Sequence, residues 1–434
     1  AVIPDQQVTN DVIDIQIIEG ELTAIDVSGN DRLRSGYISK RIALGAGPPL
    51  NIVKLGERLQ ILQQDPRIER LNAALAPGAR PGESRLDVEV TEARPYELSI
   101  GYDNHQPPSV GGDEARIRGI DRNLTGFGDT FGFEYDEGQG LDEWSVDYAL
   151  PVDRHDTTLA LYYSSIESNV VSDPFDVLDI KGTEETWSLS IARPLHLSVN
   201  RTLTPGLSLD LRRNRTYLLG EPFAFTTGTD DGKTRLSVVR YSMEWLDRGR
   251  NKVLAARSLL SAGIDAFGAT VNGEPRDGKF IAWLGQFQWA RRIADSDSQF
   301  IFRASAQAAN GGLPSIEQYA IGGFDTVRGY RENRLIGDAG LTASMEARIP
   351  VYSNASGAFH LQLVPFIDYG QVRERTDGDI SPDNISSAGI GLLGSLFGRI
   401  DMELYYGYPF RNFDDPDDDL QDEGVTFSLT VRIL

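Results

Sequence analysis

The sequence predicts a mainly β chain: a sixteen-stranded transmembrane β-barrel preceded by a small α+β module. Three observations lead there. A period of two runs through residues 94–434, setting apolar and aromatic positions against polar ones as strands with two unlike faces do. Strand candidates number sixteen, an even count, centred near residues 100, 117, 132, 146, 161, 188, 208, 240, 260, 285, 303, 345, 365, 390, 403 and 429. Their connections alternate in length, short turns such as 122–127 and 394–398 against long ones such as 214–233 and 309–339, as on the two sides of a barrel in a membrane.

Composition removes several other classes. The chain has 434 residues with 42 Lys+Arg against 64 Asp+Glu, a net charge of −22 that argues against wrapping nucleic acid, whose phosphates need a basic face. No apolar run approaches the eighteen residues that a membrane helix needs. The absence of Cys excludes disulfide scaffolds and thiolate metal sites, and it suits a chain that crosses an oxidising periplasm. Ala1 opens no charged-then-apolar leader, so a removed signal peptide or a start inside a longer protein is expected.

The first region follows the helical period. Val12 to Ile18 and Leu22 to Val27 read as strands. Arg34 to Leu44 and Asn51 to Gln64 read as helices: Ile52, Leu55, Leu59 and Leu62 recur at three- and four-residue steps, with Asn51 placed to cap. Ile68 to Leu75 and Arg85 to Val90 close a β-α-α-β-β unit. Residues 21–93 therefore form one module, and residues 1–20 look like the closing strand of a preceding one.

From Tyr96 the period changes to two. Phe131, Phe133 and Tyr135 alternate with Gly132, Glu134 and Asp136; the same rhythm returns at Trp187, Leu207, Ile400 and Val425. Soluble sandwiches alternate too, so the loop lengths decide. Over residues 94–434, sixteen strands leave about 21 residues each for strand and connection, enough for the ~9–11 residues of a tilted membrane strand. Both termini then lie on the short-turn, periplasmic side, and the first and last strands pair to leave no open edge. Trp144, Trp187, Trp283 and Trp289 are expected in interfacial girdles.

The longest connection carries Gly322-Gly323-Phe324-Asp325-Thr326-Val327-Arg328-Gly329-Tyr330-Arg331-Glu332-Asn333. Long loops of this kind are usually functional. In the strand near 365, alternation turns Phe366, Asp368 and Gly370 toward the lumen and Ile367 and Tyr369 outward.

These motifs resemble those of the outer-membrane transporters of two-partner secretion, the TpsB proteins that export haemolysins and filamentous haemagglutinins. Val327-Arg328-Gly329-Tyr330 is similar to the family's VRGY/F motif at the tip of a sixth loop folded into the lumen. Phe366 to Gly370 is similar to its F-x-D-x-G strand. The resemblance covers essentially the whole chain. It implies that Arg328 pairs with Asp368, that residues 21–93 are a periplasmic POTRA domain after the end (1–20) of an earlier one, and that residues 94–434 are the barrel. It also implies an ATP-independent pore that takes an unfolded exoprotein of the TpsA type (adhesin, haemolysin or contact-dependent toxin) and releases it at the cell surface, the client's folding outside removing the return path. Outer-membrane lipid and the barrel-assembly machinery are the further expected partners, a monomer the expected state, and the outer membrane of a Gram-negative bacterium the expected location. The family usually ends on Phe, whereas this chain ends Ile433-Leu434, which puts assembly efficiency in question but not the fold.

Client capture is expected on the POTRA-like module, in a groove between Leu55, Leu59 and Leu62 of its second helix and Ile68 and Leu71 of the next strand, where an extended chain could add as a strand. The same residues also fit the module's own core. An Arg fork on a carboxylate fixes geometry well, although an exposed pair contributes only ~0–1 kcal/mol. Asp414, Asp415 and Asp417 to Asp419 fit a solvated turn better than a calcium loop, which needs Gly and Glu positions. No metal or cofactor is expected, nor an enzyme: His105, His155, His196 and His360 are scattered, no G-x-S-x-G elbow occurs, and Gly126-Phe127-Gly128 lies in a turn with no phosphate-cradling helix after it. Two rivals remain. An assembly factor of the same superfamily would insert other barrels, and a passive porin would need neither module nor folded-in loop.

Overall fold

The computed structural model describes residues 19–293, 296–354, 356–375, 382–415 and 419–434. The strand expected over 12–18 and the preceding-module reading of residues 1–18 lie outside them. The first module is built from β1 (Glu21–Ser28), α1 (Ser35–Ile42), α2 (Ile52–Gln63), β2 (Ile68–Pro77) and β3 (Glu83–Glu92). β3 is central, parallel to β1 and antiparallel to β2, so β2 forms one edge. Its alternating Leu86, Val88 and Val90 all point into a core closed by Leu33, Ile38, Ile42, Leu55 and Leu62. At the start of α2, the Asn51 side chain accepts the Val53 and Lys54 amides at 3.0 and 3.1 Å, satisfying donors that a first turn leaves open.

Sixteen antiparallel strands follow and close on themselves. They are β4 (Tyr96–Asp103), β5 (Glu114–Asp121), β6 (Thr130–Gly138), β7 (Leu141–Pro151), β8 (Thr158–Asn169) and β9 (Lys181–Ala192). Next come β10 (Arg201–Leu218), β11 (Lys233–Arg248), β12 (Lys252–Gly263), β13 (Ile281–Arg292) and β14 (Gln299–Ala309). The last are β15 (Ala339–Ser353), β16 (Phe359–Arg373), β17 (Asp383–Leu396), β18 (Ile400–Pro409) and β19 (Val425–Arg432). β19 pairs with β4 from Ser428↔Asp103 to Arg432↔Ser99, which leaves no sheet edge for lipid to meet. Outward positions are apolar and exposed along the whole wall, among them Phe133, Trp144, Trp187, Leu207, Tyr241, Trp283, Ile367 and Leu404. Such a belt suits lipid, not water. No described helix is long and apolar enough to cross a membrane.

The module docks on the short-turn end of the barrel. Arg34 donates its amide to Gly126 O at 3.0 Å, Arg32 reaches Asp121 and Asn123 O at 3.0 Å each, and Arg41 pairs with Asp156 at 2.7 Å. Arg67 donates to Arg122 O at 2.8 Å and to Thr130 at 3.1 Å. Gly128 lies flat on the Tyr37 ring, where a Cβ would stand 2.3 Å from a ring carbon. The turn Gly126-Phe127-Gly128, which the sequence left without a role, is thus a seat for the module.

Candidate functional site: the lumenal loop and its anchors

The 29-residue connection from 310 to 338 folds back into the barrel instead of standing over it. It makes a small hairpin, Tyr319–Ile321 against Leu335–Gly337, with the tip between the two arms. Thr326 shapes the tip, its hydroxyl accepting from the Gly322 amide at 2.8 Å and donating to the Gly322 carbonyl at 2.9 Å. Val327 and Tyr330 are buried against Ile321, Val372 and Ile385. The Tyr330 hydroxyl donates to Ser386 O at 2.9 Å and accepts from the Arg411 amide at 3.1 Å. Gly329 has φ +90° and passes Gly407 of β18 so closely that a Cβ at 407 would lie 2.7 Å from its Cα. Neither position has room for a side chain.

Arg328 stands at the centre. Its Nε and Nη2 donate to the two oxygens of Asp368 at 2.8 and 2.9 Å, and its own amide adds a third bond at 3.1 Å. Nη1 donates to Glu346 at 3.0 Å, Nη2 also reaches Ser344 at 3.1 Å, and the guanidinium lies 3.8 Å from the Phe366 ring centre. Side-chain exposure is 5% for Arg328, 0% for Asp368 and 1% for Glu346. The weight given to an exposed pair therefore does not apply: removing one partner of a buried pair costs about 3–5 kcal/mol. Phe366 and Asp368 are buried on the lumen side, Ile367 and Tyr369 exposed outside, and Gly370 leaves space for Val327, since a Cβ there would stand 2.8 Å from a Val327 methyl.

Other anchors carry no motif. Glu346, from the strand facing β16, is held by Arg303 and Arg348 as well as Arg328. Its inward phase among Thr342, Ser344 and Arg348 was readable, but nothing in the spacing marked it out. Asp338 at the loop base accepts from Leu313 N, Gln318 and Arg375 N at 2.9, 3.0 and 2.7 Å and pairs with Arg276 at 3.2 Å. Glu317 binds Arg212 and Arg240 on the opposite wall at 2.8 and 2.7 Å.

The last long loop corrects one expectation. Asp415 is not a solvated turn residue: Arg334 donates to it at 2.5 Å, and Arg331 bridges it and Asp422, because the folded-in loop brings its arginines to that acidic segment. Asp414 is exposed; Asp417 and Asp418 lie outside the described residues. His105 stacks on Phe324 with ring centres 4.0 Å apart, and burial pushes its imidazole down to about 4. Burial also pushes the Glu332 carboxyl up to about 8, helped by Asp325 and Asp103 and opposed by the Phe324 amide. Among the described residues, no three His, Asp or Glu gather as a metal site.

A second correction concerns the groove. Leu55, Leu62 and Ile68 are 3–5% exposed and form the core, while Leu59 and Leu71 are half-buried at its margin. Helical spacing marks the buried face of α2, and the sheet already occupies that face.

Comparison with known proteins bears on this arrangement. A curated outer membrane transporter, CdiB-2 from Burkholderia pseudomallei (strain 1026b), is 22% identical over 424 residues, spanning 94% of this chain and 70% of its own. The solved structure of CdiB from Escherichia coli superposes with a TM-score of 0.80 at 20% identity, covering 100% of this chain and 80% of its own. CdiB from Acinetobacter baumannii gives 0.73 at 16%, covering 99% and 77%. BamA from Haemophilus ducreyi lacking POTRA domains 1–3 gives 0.65 at 13%, covering 97% and 86%. At these identities the structures speak for the fold. The family model of the haemolysin secretion/activation proteins ShlB/FhaC/HecB matches residues 82–394, well over half of the sequence, and the chain belongs to that family.

Proposed function

We propose that this barrel is the outer-membrane pore of a two-partner secretion system, exporting one unfolded exoprotein without ATP. The observation that carries the reading is the buried Arg328–Asp368 pair, which pins a long loop inside a closed barrel of a secretion family. In the resting state the loop fills part of the lumen, and it shifts when a client arrives. The loop occupies the space that a passive porin would leave for solute.

Residues 21–93 act in this reading as a periplasmic POTRA domain that presents the client to the mouth it sits on. Capture uses the outer edge of β2, by backbone pairing that displaces Gln63, with Leu59 and Leu71 as the apolar margin. The Gln63 side chain already bonds that edge, accepting from Leu71 N at 2.8 Å and donating to Glu69 O at 3.2 Å, as an added strand would. The client is a large exoprotein of the TpsA type, the pore works as a monomer in outer-membrane lipid, and the barrel-assembly machinery inserts it. No catalytic step is needed.

Secretion of a candidate partner from cells carrying wild type, Arg328→Ala or Asp368→Ala at matched outer-membrane levels tests the reading. Export should fall in both variants, with the partner held in the periplasm. Full-rate secretion by Arg328→Ala would sink the latch. Loss of other outer-membrane barrels with the partner unaffected would make the protein an assembly factor instead.

A further inference from the structure

The lumen is not filled evenly. Three cavities run in series from the module to the middle of the barrel. The first, about 350 Å³, lies between the module and the short-turn rim and is lined in part by Thr202, Leu246 and Arg248. Those three residues also line the second, about 680 Å³, which passes between the wall of β10 to β15 and the loop tip at Asp325 and Thr326. Glu244 and Arg257 join it to a third of about 420 Å³, whose far end is formed by Asp210 and Arg240. Beyond that point the loop packs onto the wall. Leu313 of the loop, with Ile316 packed against it, seals onto Leu236, Val238, Phe280 and Ala282 of the wall, and directly beneath this apolar seal Glu317 takes both Arg212 and Arg240.

The two attachments of the loop differ in what they leave behind on release. Arg212 is also bound by Glu184 and Arg240 by Asp210, each at 2.5 Å. When Glu317 departs, the wall keeps two guanidiniums against two carboxylates, fully compensated. The Asp368 side chain, by contrast, takes all its hydrogen bonds among the described residues from Arg328, so losing Arg328 strands a carboxylate that is fully buried. Charge bookkeeping therefore makes one attachment reversible and the other fixed.

We infer that Glu317 is the gate residue of the export path: the path follows the β10 to β15 wall and opens when the Leu313–Glu317 segment unclasps from Arg212 and Arg240, while Arg328 on Asp368 stays as the pivot. Glu317 is a positioning residue, acting through the segment it holds. The inference rests on the export reading, but its test needs no partner.

The chain is reconstituted in planar bilayers, and its leak to a large antibiotic is measured in cells at matched outer-membrane levels. Glu317→Gln keeps the shape and removes the charge; the open fraction should rise about tenfold, a modest share of what a lost buried partner costs, with the barrel's melting unchanged. Glu317→Asp, too short to span both guanidiniums, should fall between the two. Asp368→Asn should melt earlier yet leak little. If Glu317→Gln stays as tight as wild type while Asp368→Asn leaks, the gate lies at the latch and the inference is overturned. Should Glu317→Gln insert poorly, Glu317→Asp decides: wild-type tightness there overturns it as well. Failure of the wild type to secrete any partner would count against the export reading alone, since the conductance result stands without a client.

Discussion

The module and the barrel bury their interiors by opposite means. In the module, Leu33, Ile38, Ile42 and Val88 are at most 1% exposed, and their side chains pack into one apolar cluster. In the barrel, Arg328, Asp368 and Glu346 are buried too, yet they are held by directed bonds. A dry core is stabilised by removal from water and tolerates no passing guest. Where the wall carries its own counter-charges, as at Arg212 and Arg240, a lumenal ion pair can be traded for water or a peptide group without exposing apolar surface. The apolar patch of Leu236, Val238, Phe280 and Leu313 departs from that rule, and it lies where the cavities end. The difference teaches where rigidity is wanted and where movement is.

The largest expected effect breaks the barrel side. Asp368→Ala leaves Arg328 buried with Glu346 as its remaining carboxylate, and a lost partner in a buried pair costs about 3–5 kcal/mol. The loop tip should become protease-sensitive in purified protein while the barrel still migrates as folded in unheated gels. Next, Ile38→Ala opens a cavity in the module core and should cost about 2–5 kcal/mol. Proteolysis should then remove the module and leave the barrel intact. If both variants collapse the whole chain, the two regions are not the separate cooperative units that their different interiors suggest.

How much of this was readable in the sequence follows the same division. All sixteen strands were, because a period of two survives wherever one face meets lipid; each expected centre falls within its strand. The Asn51 cap was readable because its signal is local. Arg328 and Asp368 were named only through a resemblance in their motifs, since an inward Asp is ordinary in a polar lumen. Glu346, Glu317 and the wall arginines had no such marker: their meaning comes from strands tens of residues apart meeting across the pore. Leu55, Leu62 and Ile68 failed as a groove for the converse reason, because helical spacing shows that a face is buried without saying by what. Asp415 was read as solvated because its arginines come from a different loop.

A smaller, graded effect sharpens the comparison through pH. Burial raises the Glu332 carboxyl from 4.5 to about 8, so the docked loop binds a proton that the released loop does not. Docking is therefore strongest at low pH and weakens as pH rises between those values. Above the ordinary imidazole range, where His105 is neutral in the docked and the released loop alike, bilayer leak of the wild type should grow from pH 6.5 to pH 8, whereas Glu332→Gln should stay flat there. Equal slopes in both would mean that the loop does not sense this proton.

The smallest effect tests the module from its surface. Asn51→Ala removes a cap on α2 that costs about 1 kcal/mol to lose, without touching the core or the barrel. Because α2 carries Gln63, which covers the edge of β2, fraying should reach Leu71 first. Amide exchange at Leu71 should quicken by about fivefold, as about 1 kcal/mol predicts, while exchange at Val88 in the central strand changes less. Equal acceleration at both would mean that the module opens only as a whole, and the β2 edge would then have no separate freedom to receive a client.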